Sequence, residues 1–343
     1  MRVFMPSRFL DRHVGGNTTY ARTIAAGLAE RGIPVDRIPA GGSAFATMIR
    51  ESMFGLGAGR RDEVLHYVGD TGPLLGTRRP TVVTVHGVAS RWIEGARTHA
   101  QELAWRSRVA RAIAAADHVI TVSNSSAADI VNVFNVDANR MTVIEHGIDL
   151  ETFAAPRQLS PELRTVLPER FALYLGNIEP RKNLTALVAA FGTPEVRALG
   201  LPLVVAGKAA WNAEASIAAI EASDNVVRLG FVSDDDRAAL MQACELFVFP
   251  SLYEGFGFPV LEGLAAGAVV LTSDRGSLAE VAGPSLRLPG LDSAGIAAGI
   301  VSAADTLGTA GDVRRAEGRA WASRFTWDAS VERHIEVYES VMP

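Results

Sequence analysis

The sequence predicts an α/β protein with two doubly wound domains, each built on an open parallel sheet. Three observations lead to this fold class. The 343 residues are too many for one ordinary core and suit two. Hydrophobic residues make up 48% and charged residues 21%, as in a soluble globular protein. Short apolar, β-rich runs alternate with longer helical patterns, which is typical of βαβ units.

The strands follow in order along both halves of the chain. In the first half the predicted strands are RVFMPS, VDRIPA, EVLHYVG, TVVTVHG, HVITVSN and MTVIEHG. In the second half they are FALYLGN, PLVVAGK, NVVRLGF, LFVFPS, VVLTSD and a weaker SLRLPG. Between the halves, ETFAAPRQLSPELRTVLPERF contains three prolines and no clean strand, so the domain junction is expected there. We therefore predict domains at residues 1–160 and 161–325.

The closing stretch, WDASVERHIEVYESVMP, predicts a helix with no strand after it. Val331, Ile335, Val337 and Tyr338 can form one apolar stripe on this helix. We expect residues 326–343 to cross back and pack on the first domain.

Composition excludes several classes of protein. No apolar run approaches the roughly 20 residues of a membrane helix, and the charged start does not resemble a secretion signal. Cys244 is the single cysteine, so no internal disulfide forms, and a cytoplasmic location is expected. Residues 1–165 carry 19 basic and 16 acidic groups. This excess is too small for a nucleic-acid-binding protein, but it allows peripheral contact with the inner face of a plasma membrane.

A glycine pair follows the first strand. Gly15 and Gly16 would let backbone N–H groups approach a phosphate, and the helix dipole from about Asn17 onward favours negative charge. The alternative is a plain capped helix after a tight turn, since Asn and Thr are good caps.

Two histidines each precede a glycine at the end of a strand. His86 and Gly87 would lie at the carboxyl edge of the first sheet, where His86 could bind a sugar hydroxyl or support developing charge. His146 repeats the pattern, so one of the two is expected to be structural, and His86 is favoured as the functional one.

The second half places its cations after strands. Arg181 and Lys182 stand at a helix entry, where they could neutralise a diphosphate, although a solvated basic turn is the alternative. Lys208 follows the next strand, and Lys182 and Lys208 are the only lysines in a chain with 31 arginines. We interpret both as positions where donor binding needs a compact ammonium, with chance codon usage as the alternative for Lys208. The run SDDD at Ser233 is interpreted as a helix cap with an acidic first turn rather than a metal site.

Two glutamates eight positions apart, Glu254 and Glu262, flank a glycine- and aromatic-rich loop. Carboxylates accept hydrogen bonds from vicinal hydroxyls such as those of a ribose or hexose. Two structural salt bridges would also explain the charges, but not the glycines. The loop residues whose backbone would face the ligand are Gly255, Phe256, Gly257 and Phe258, and Pro259 suits the first turn of the next helix.

These motifs together resemble the retaining nucleotide-sugar glycosyltransferases of family four, which have the GT-B fold of two Rossmann-like domains facing across a cleft. EGFGFPVLEGLAAG is specific to such enzymes, and GNIEPRKN and VVAGKAAW look most like polysaccharide and O-antigen mannosyltransferases. In the first half only GGNTTY, VHG, VSNSS and EHGID match. Asn177 departs from the family pattern, which has Arg at that place.

The resemblance implies a role for each of these residues. Gly16 would contact the diphosphate and His86 the donor sugar; Lys182, helped by Arg181, would neutralise the diphosphate from an exposed position. Glu254 and the loop amides would hold the hexose, and Glu262 the ribose.

The resemblance also implies the chemistry. The leaving diphosphate itself would accept the acceptor's proton, and neither a metal nor another cofactor would be needed. GDP-mannose is the favoured donor, with UDP-glucose or UDP-N-acetylhexosamine as alternatives; the acceptor would be a carbohydrate or a lipid-linked glycan. A nucleotide-sugar epimerase and a non-catalytic binder are the competing functions.

Overall fold

The computed structural model describes residues 1–11, 15–93 and 98–343. The chain divides into two compact units. The first contains Met1–Gly147 and Thr326–Pro343, and the second contains Ile148–Phe325. Each unit is described by itself below.

The first unit is a six-stranded sheet in the order β2-β1-β3-β4-β5-β6, and all of its strand pairs are parallel. Its strands are β1 Arg2–Pro6, β2 Val35–Ile38, β3 Glu63–Tyr67, β4 Thr81–Val85, β5 His118–Thr121 and β6 Met141–Val143. The helices of its Met1–Gly147 segment are α1 Ser7–Leu10, α2 Gly16–Glu30, α3 Ala44–Leu56, α4 His99–Ala115 and α5 Asn124–Phe134. Every residue of β4 is buried, as expected for a central parallel strand covered on both faces.

The second unit repeats this architecture with the order β12-β11-β10-β7-β8-β9, again with parallel pairs. Its strands are β7 Ala172–Leu175, β8 Leu203–Ala206, β9 Val226–Gly230, β10 Leu246–Phe249, β11 Val270–Thr272 and β12 Leu286–Arg287. Its helices are α6 Leu150–Ala154, α7 Pro161–Val166, α8 Leu184–Phe191, α9 Pro194–Arg197, α10 Glu214–Glu221, α11 Asp234–Ala243, α12 Phe258–Ala266, α13 Leu278–Val281 and α14 Ser293–Ala322. All twelve predicted strands form within the described residues, and β12 is indeed the weakest, with two residues.

The last helix, α15 (Trp327–Val341), returns to the first unit and packs on α2. Val331, Val337 and Tyr338 of the predicted stripe are buried in the first unit's core, and Ile335 packs against that core. A Cβ on Gly27 of α2 would lie 2.6 Å from Val331 Cγ2, so the two helices approach closely at this glycine. The predicted crossing of the C-terminal helix is confirmed.

The first unit ends at Gly147, ahead of the predicted boundary between residues 160 and 161. The reason is that the proline-rich segment is bound to the second unit. Gln242 of α11 donates to the carbonyls of Phe153 and Ala155 at 2.8 Å each. The Ser160 N–H donates to Asp236 at 3.0 Å. The proline-containing segment is therefore packed on the second unit and is not a free linker.

Within the described ranges 1–11, 15–93 and 98–343, no helix combines the length and the apolar character that crossing a bilayer requires.

Candidate active site

The second sheet reverses its strand order between β7 and β10. The chain adds β8 and β9 on one side of β7 and then places β10, β11 and β12 on the other. Ligands of open parallel sheets bind beyond the carboxyl ends of the strands at such a reversal. Arg181 and Lys182 follow β7, and Glu254 follows β10, so the reversal brings the predicted cations and the first glutamate to one place.

These residues form a buried ion-pair cluster. Glu254 Oε1 accepts from Lys182 Nζ and from Ser251 Oγ, each at 2.6 Å. Glu254 Oε2 accepts from Arg181 Nη1 at 2.7 Å. Arg181 also donates to Glu179 Oε1 through Nε at 2.9 Å and Nη2 at 2.6 Å. With two cations and two carboxylates, the cluster is balanced in charge.

Burial and pairing set the protonation of this cluster. Burial alone would raise the pKa of Glu254, but the charges of Arg181 and Lys182 outweigh it and lower the pKa to about 2. Burial, followed by the neighbouring charge of Arg181, lowers the pKa of the Lys182 ammonium below its usual value. The expectation that Lys182 occupies an exposed position is wrong, because its side chain is only 7% exposed and lies against Glu254.

The loop after Glu254 is shaped by glycine. Gly257 has φ +99° and forms the N-cap of α12, and a Cβ there would lie 2.6 Å from Leu278 Cδ2. The carbonyl of Glu254 accepts from both the N–H and the Oγ of Ser277, each at 3.0 Å. Pro259 lies in the first turn of α12, as predicted. That Gly255 and the Phe256, Gly257 and Phe258 amides contact a hexose stays a prediction.

Glu262 lies on α12 and is buried. Its Oε1 pairs with Arg237 of α11, whose guanidinium stacks 5.0 Å from the ring centre of Phe153. Its Oε2 is also buried and accepts no hydrogen bond from any described residue. Both glutamates thus have cationic partners, as the salt-bridge alternative expects, but Glu262 retains one carboxylate oxygen for a further donor.

Sequence reasoning missed Arg237, the partner of Glu262. It stands directly after the acidic run, in which the Ser233 Oγ accepts from the Asp236 N–H at 3.1 Å and so caps α11. The cap interpretation is confirmed. A signal was present: Arg237 is the only basic residue of α11, one position beyond the cap's acidic turn.

Lys208 lies on the loop after β8, one strand away from the reversal, and its side chain is exposed. Its Nζ stands 4.0 Å from the centre of the Phe231 ring. Its carbonyl accepts from the Ile178 N–H at 2.8 Å, so the loops after β7 and β8 are joined. Asn177 lies within that joined segment, where its carbonyl accepts from the Tyr174 hydroxyl at 2.9 Å.

In the first unit, the predicted phosphate loop forms the start of α2. Gly15 has φ +108° and is the N-cap, and Gly16 and Asn17 are the first helical residues. Among the described residues no side chain caps this end, and a Cβ on Gly15 would meet no described atom within 4 Å. The Thr18 and Thr19 N–H groups both donate to the Gly15 carbonyl at 3.0 Å, so the amides that this helix start offers to an anion are those of Gly16 and Asn17. The alternative of a helix capped by Asn or Thr is not what forms.

His86 lies just after β4, and its ring is held by backbone. Its Nε2 stands 3.0 Å from the Val68 carbonyl, which can only accept, so the proton is on Nε2. The His86 N–H donates to Asp70 Oδ1 at 2.8 Å. Gly87 follows with φ +140°. His146 is buried at 5.5 Å between ring centres from His86, and burial lowers its pKa well below the usual value.

A buried chain of hydroxyl and imidazole groups joins α15 to the first sheet, and sequence reasoning missed it. The Tyr338 hydroxyl lies 2.7 Å from His66 Nδ1, and His66 Nε2 lies 2.7 Å from Thr84 Oγ1. Tyr20 lies 2.8 Å from that threonine oxygen and 2.7 Å from His334 Nε2. The four ring side chains are fully buried.

The proton positions along this chain of hydrogen bonds can be assigned by starting from His334. His334 Nδ1 stands 2.6 Å from a backbone carbonyl and must donate to it, so Nε2 accepts from Tyr20. Thr84 then donates to Tyr20 and accepts from His66 Nε2, which leaves His66 Nδ1 to accept from Tyr338. Both histidines are neutral, in keeping with burial, which lowers the pKa of His334 to about 4. For α15, the sequence indicated only the apolar stripe and not these hydrogen bonds.

Among the residues that the structure describes, no three His, Cys, Asp or Glu side chains are grouped so that they could hold a metal ion.

Two family sequence models match consecutive parts of the chain. The model described as "Glycosyltransferase Family 4" matches residues 61–152, and "Glycosyl transferases group 1" matches residues 157–287. The chain belongs to glycosyltransferase family four. The second match contains all residues of the ion-pair cluster, and it contains both Glu254 and Glu262.

Three curated relatives show how far the similarity extends. O-antigen chain mannosyltransferase B of Escherichia coli is 30% identical over 64% of this chain and 60% of its own length. Serotype-specific mannosyltransferase WbdA of Escherichia coli is 36% identical over 49% of this chain but only 22% of its own length. GDP-mannose:cellobiosyl-diphosphopolyprenol alpha-mannosyltransferase of Xanthomonas campestris is 28% identical over 84% of this chain and 76% of its own. The chain therefore spans less than two thirds of the first two relatives.

Solved structures share the fold over nearly the whole chain. Sucrose-phosphate synthase from Thermosynechococcus elongatus superposes with a TM-score of 0.76 at 19% identity, covering 99% of this chain and 98% of that one. Anabaena HepE, solved with UDP and glucose, gives 0.71 at 18% identity and covers 99% of each chain. The family-four chain thus has the GT-B fold.

Proposed function

We propose that this protein is a retaining glycosyltransferase that moves a hexose from a nucleotide sugar to a glycan or lipid-linked acceptor. Mannose from GDP-mannose is the favoured donor. The observation that carries the proposal is the Lys182–Glu254 pair, held at 2.6 Å where the second sheet reverses its strand order. A buried ammonium at the carboxyl edge of a parallel sheet is suited to an anionic ligand.

The nucleotide binds through Glu262 in this proposal. Its Oε2 is buried without a hydrogen bond from a described residue, which costs free energy until a donor arrives. A ribose hydroxyl is such a donor. Arg237 holds the other oxygen and so fixes the carboxylate's orientation.

The diphosphate binds through Lys182. An ammonium has three N–H donors, and Glu254 takes one, which leaves two for phosphate oxygens. Arg181 is already bound by Glu179, Glu254 and the Tyr253 carbonyl, so it positions Glu254 rather than contacting the donor. Lys208 supplies a second, exposed cation one strand away.

The chemistry breaks the bond between the anomeric carbon and the diphosphate and forms a bond from the acceptor oxygen on the same face. The acceptor's proton passes to the leaving diphosphate oxygen, whose charge Lys182 stabilises. Glu254 is a poor nucleophile, because its pKa is held at about 2 and three side chains donate to it. Its role is to hold the cations and, through the remaining lone pair of Oε2, to accept from a hexose hydroxyl. No metal is required when Lys182 neutralises the charge.

The relatives' names support the choice of donor and acceptor. Two of the three described above are named mannosyltransferases of an O-antigen or serotype, and the third is named for GDP-mannose and a diphosphopolyprenol acceptor. For the first unit, phosphate binding by Gly16 and Asn17 at the start of α2 and sugar binding by His86 stay predictions.

The test is to incubate the protein with GDP-mannose, UDP-glucose and UDP-N-acetylglucosamine separately and to separate the products by anion-exchange chromatography. A transferase without acceptor releases the free nucleoside diphosphate slowly, and we expect GDP from GDP-mannose. Release of UDP would replace the donor assignment. An isomerised sugar nucleotide would identify an epimerase, and no product from any donor would contradict transfer.

A further inference from the structure

Tyr20 of α2 lies in the core of the first unit and touches the histidine predicted to bind the donor sugar. Its ring is fully buried and meets the partly exposed His86 ring edge to face, with 5.1 Å between the ring centres and 85° between the ring planes. Ile24 and Leu28 follow at intervals of four residues and are also buried, so Tyr20 stands on the core-facing side of α2. A phenylalanine ring would fill the same space, so packing alone does not account for the hydroxyl.

The Tyr20 hydroxyl is buried, which costs free energy unless hydrogen bonds offset it. It accepts from Thr84 Oγ1 at 2.8 Å and donates to His334 Nε2 at 2.7 Å. Thr84 belongs to β4 and His334 to α15, so the hydroxyl is bound to two separate elements. Directional bonds to both elements fix the place of the tyrosine ring, because a fully satisfied buried network favours one geometry.

The His86 ring has one nitrogen bound to the protein and one left for a ligand. Nε2 donates to the Val68 carbonyl at 3.0 Å, and among the described residues none donates to Nδ1. Nδ1 is therefore the acceptor left for a hydroxyl such as that of a hexose. The bond from Nε2 sets the tautomer, whereas the orientation of the ring also depends on its packing neighbours. These are Tyr20 and His146, whose own ring centres lie 4.7 Å apart.

We propose that Tyr20 is a positioning residue that fixes the His86 imidazole, with Nδ1 available to the donor sugar. His334 takes part through its hydrogen bond to Tyr20, so the last helix of the chain helps to complete a site at the carboxyl edge of the first sheet. This inference rests on the proposed function, because it assumes that His86 contacts the sugar.

The alternative is that the hydroxyl and imidazole chain only fastens α15 to the sheet. Tyr20 donates to His334 Nε2. Tyr338 donates to His66 Nδ1 in the same way. If the chain only fastened the helix, the two tyrosines would be equivalent. Contact with His86 separates them, because among the described rings Tyr20 packs against His86 and Tyr338 does not.

The first measurement is nuclear magnetic resonance of the imidazole nitrogens in the full chain carrying isotope-labelled histidine. The sequence has seven histidines, and the signals of His86 are assigned by their loss in His86→Gln. In the parent protein we expect one tautomer, protonated on Nε2. Tyr20→Phe should shift both nitrogen signals of His86 toward a mixture of tautomers. Tyr338→Phe is the matched control and should leave them unchanged.

The second measurement is the steady-state release of GDP from GDP-mannose. Tyr20→Phe should lower kcat by about tenfold, which lies within the roughly 100-fold that a small misplacement of a contacting group costs. Its affinity for free GDP should stay within about twofold of the parent, since GDP has no hexose for His86 to contact. Tyr338→Phe should keep kcat within about twofold of the parent.

Thr84 offers a second route to the same ring. Thr84→Val removes the hydroxyl that donates to Tyr20, whereas Thr84→Ser keeps it. Thr84→Val should therefore change the His86 signals, and Thr84→Ser should not. This pair keeps the test decisive even where Tyr20→Phe folds poorly, and circular dichroism of each variant checks that the fold is retained.

Identical His86 signals in the parent, Tyr20→Phe and Thr84→Val would overturn the proposal, as would equal changes in Tyr20→Phe and Tyr338→Phe. A changed His86 ring with unchanged kcat would overturn it as well, because the orientation of the ring would then have no bearing on transfer. If the parent released no diphosphate from any sugar nucleotide, the proposed function would fail. The nitrogen signals need no donor, so they would still decide whether Tyr20 positions His86.

Discussion

Replacing Glu254 by Gln should destabilise the second unit strongly. The substitution keeps the size of the side chain but removes the charge that pairs with two cations. Arg181 retains Glu179, whereas Lys182 loses the carboxylate to which it donates at 2.6 Å. Breaking a buried ion pair in this way costs about 3–5 kcal/mol. For a unit of this size, 1 kcal/mol corresponds to roughly 2–4 °C, so the melting temperature should fall by about 10 °C.

Differential scanning calorimetry measures this fall in melting temperature, and two further variants serve as comparisons. Glu221→Gln removes a carboxylate of an exposed pair with Arg228 and should shift the second unit's transition by less than about 2 °C. Glu254→Gln combined with Lys182→Met leaves no buried ammonium without a partner, so it should recover at least half of the loss. The reasoning fails if Glu254→Gln melts within 2 °C of the parent protein, a shift of roughly 1 kcal/mol or less.

Three further predictions concern backbone, pH and metal. Gly257→Ala should cost more than about 1 kcal/mol, because φ is +99° and the new Cβ would clash with Leu278; denaturant unfolding with an unchanged midpoint would contradict it. Burial lowers the pKa of His66 and of His334, so their contribution to stability is full above about pH 6.5 and is lost as the pH falls below it, for His334 down to about 4. The contribution of Glu254 is lost only between about pH 4.5 and 2. Hydrogen exchange should therefore show the first unit losing protection first on acidification, and simultaneous loss below pH 4 would refute this. EDTA should leave nucleotide release from the preferred sugar donor unchanged, and loss of release that Mg²⁺ restores would show that a metal takes part.

The fold could be predicted because the hydrophobic periodicity and the positions of the turn residues agree along the chain. Each apolar run such as TVVTV is followed by a turn residue and a helical pattern, and that rhythm specifies parallel strands whatever contacts form later. The junction could not be placed, because prolines mark irregular backbone but do not say which unit it covers. What binds the segment around Phe153 is the Gln242 side chain, 89 residues away in sequence.

The candidate site was predicted in part for a related reason. Residues that follow strands, such as Lys182 and Glu254, could be assigned to the carboxyl edge of a sheet from position alone. Their mutual pairing could not, since it depends on β10 being placed beside β7. The burial of Lys182 and the partnership of Arg237 with Glu262 are consequences of that tertiary neighbourhood. The buried hydroxyl and imidazole chain was missed because its members come from four separate elements.

Isothermal titration calorimetry of GDP and UDP into the parent protein and Glu262→Gln tests the central claim most directly. The claim is that the second unit binds a nucleoside diphosphate through the Glu262 oxygen that no described residue contacts. We expect the parent to bind GDP more tightly than UDP and Glu262→Gln to lose at least about tenfold in affinity, since hydrogen bonds to a charged group contribute roughly 1.5–3 kcal/mol. Glu221→Gln should bind like the parent. Equal affinities for parent and Glu262→Gln, or no binding of either diphosphate to the parent, would contradict the account.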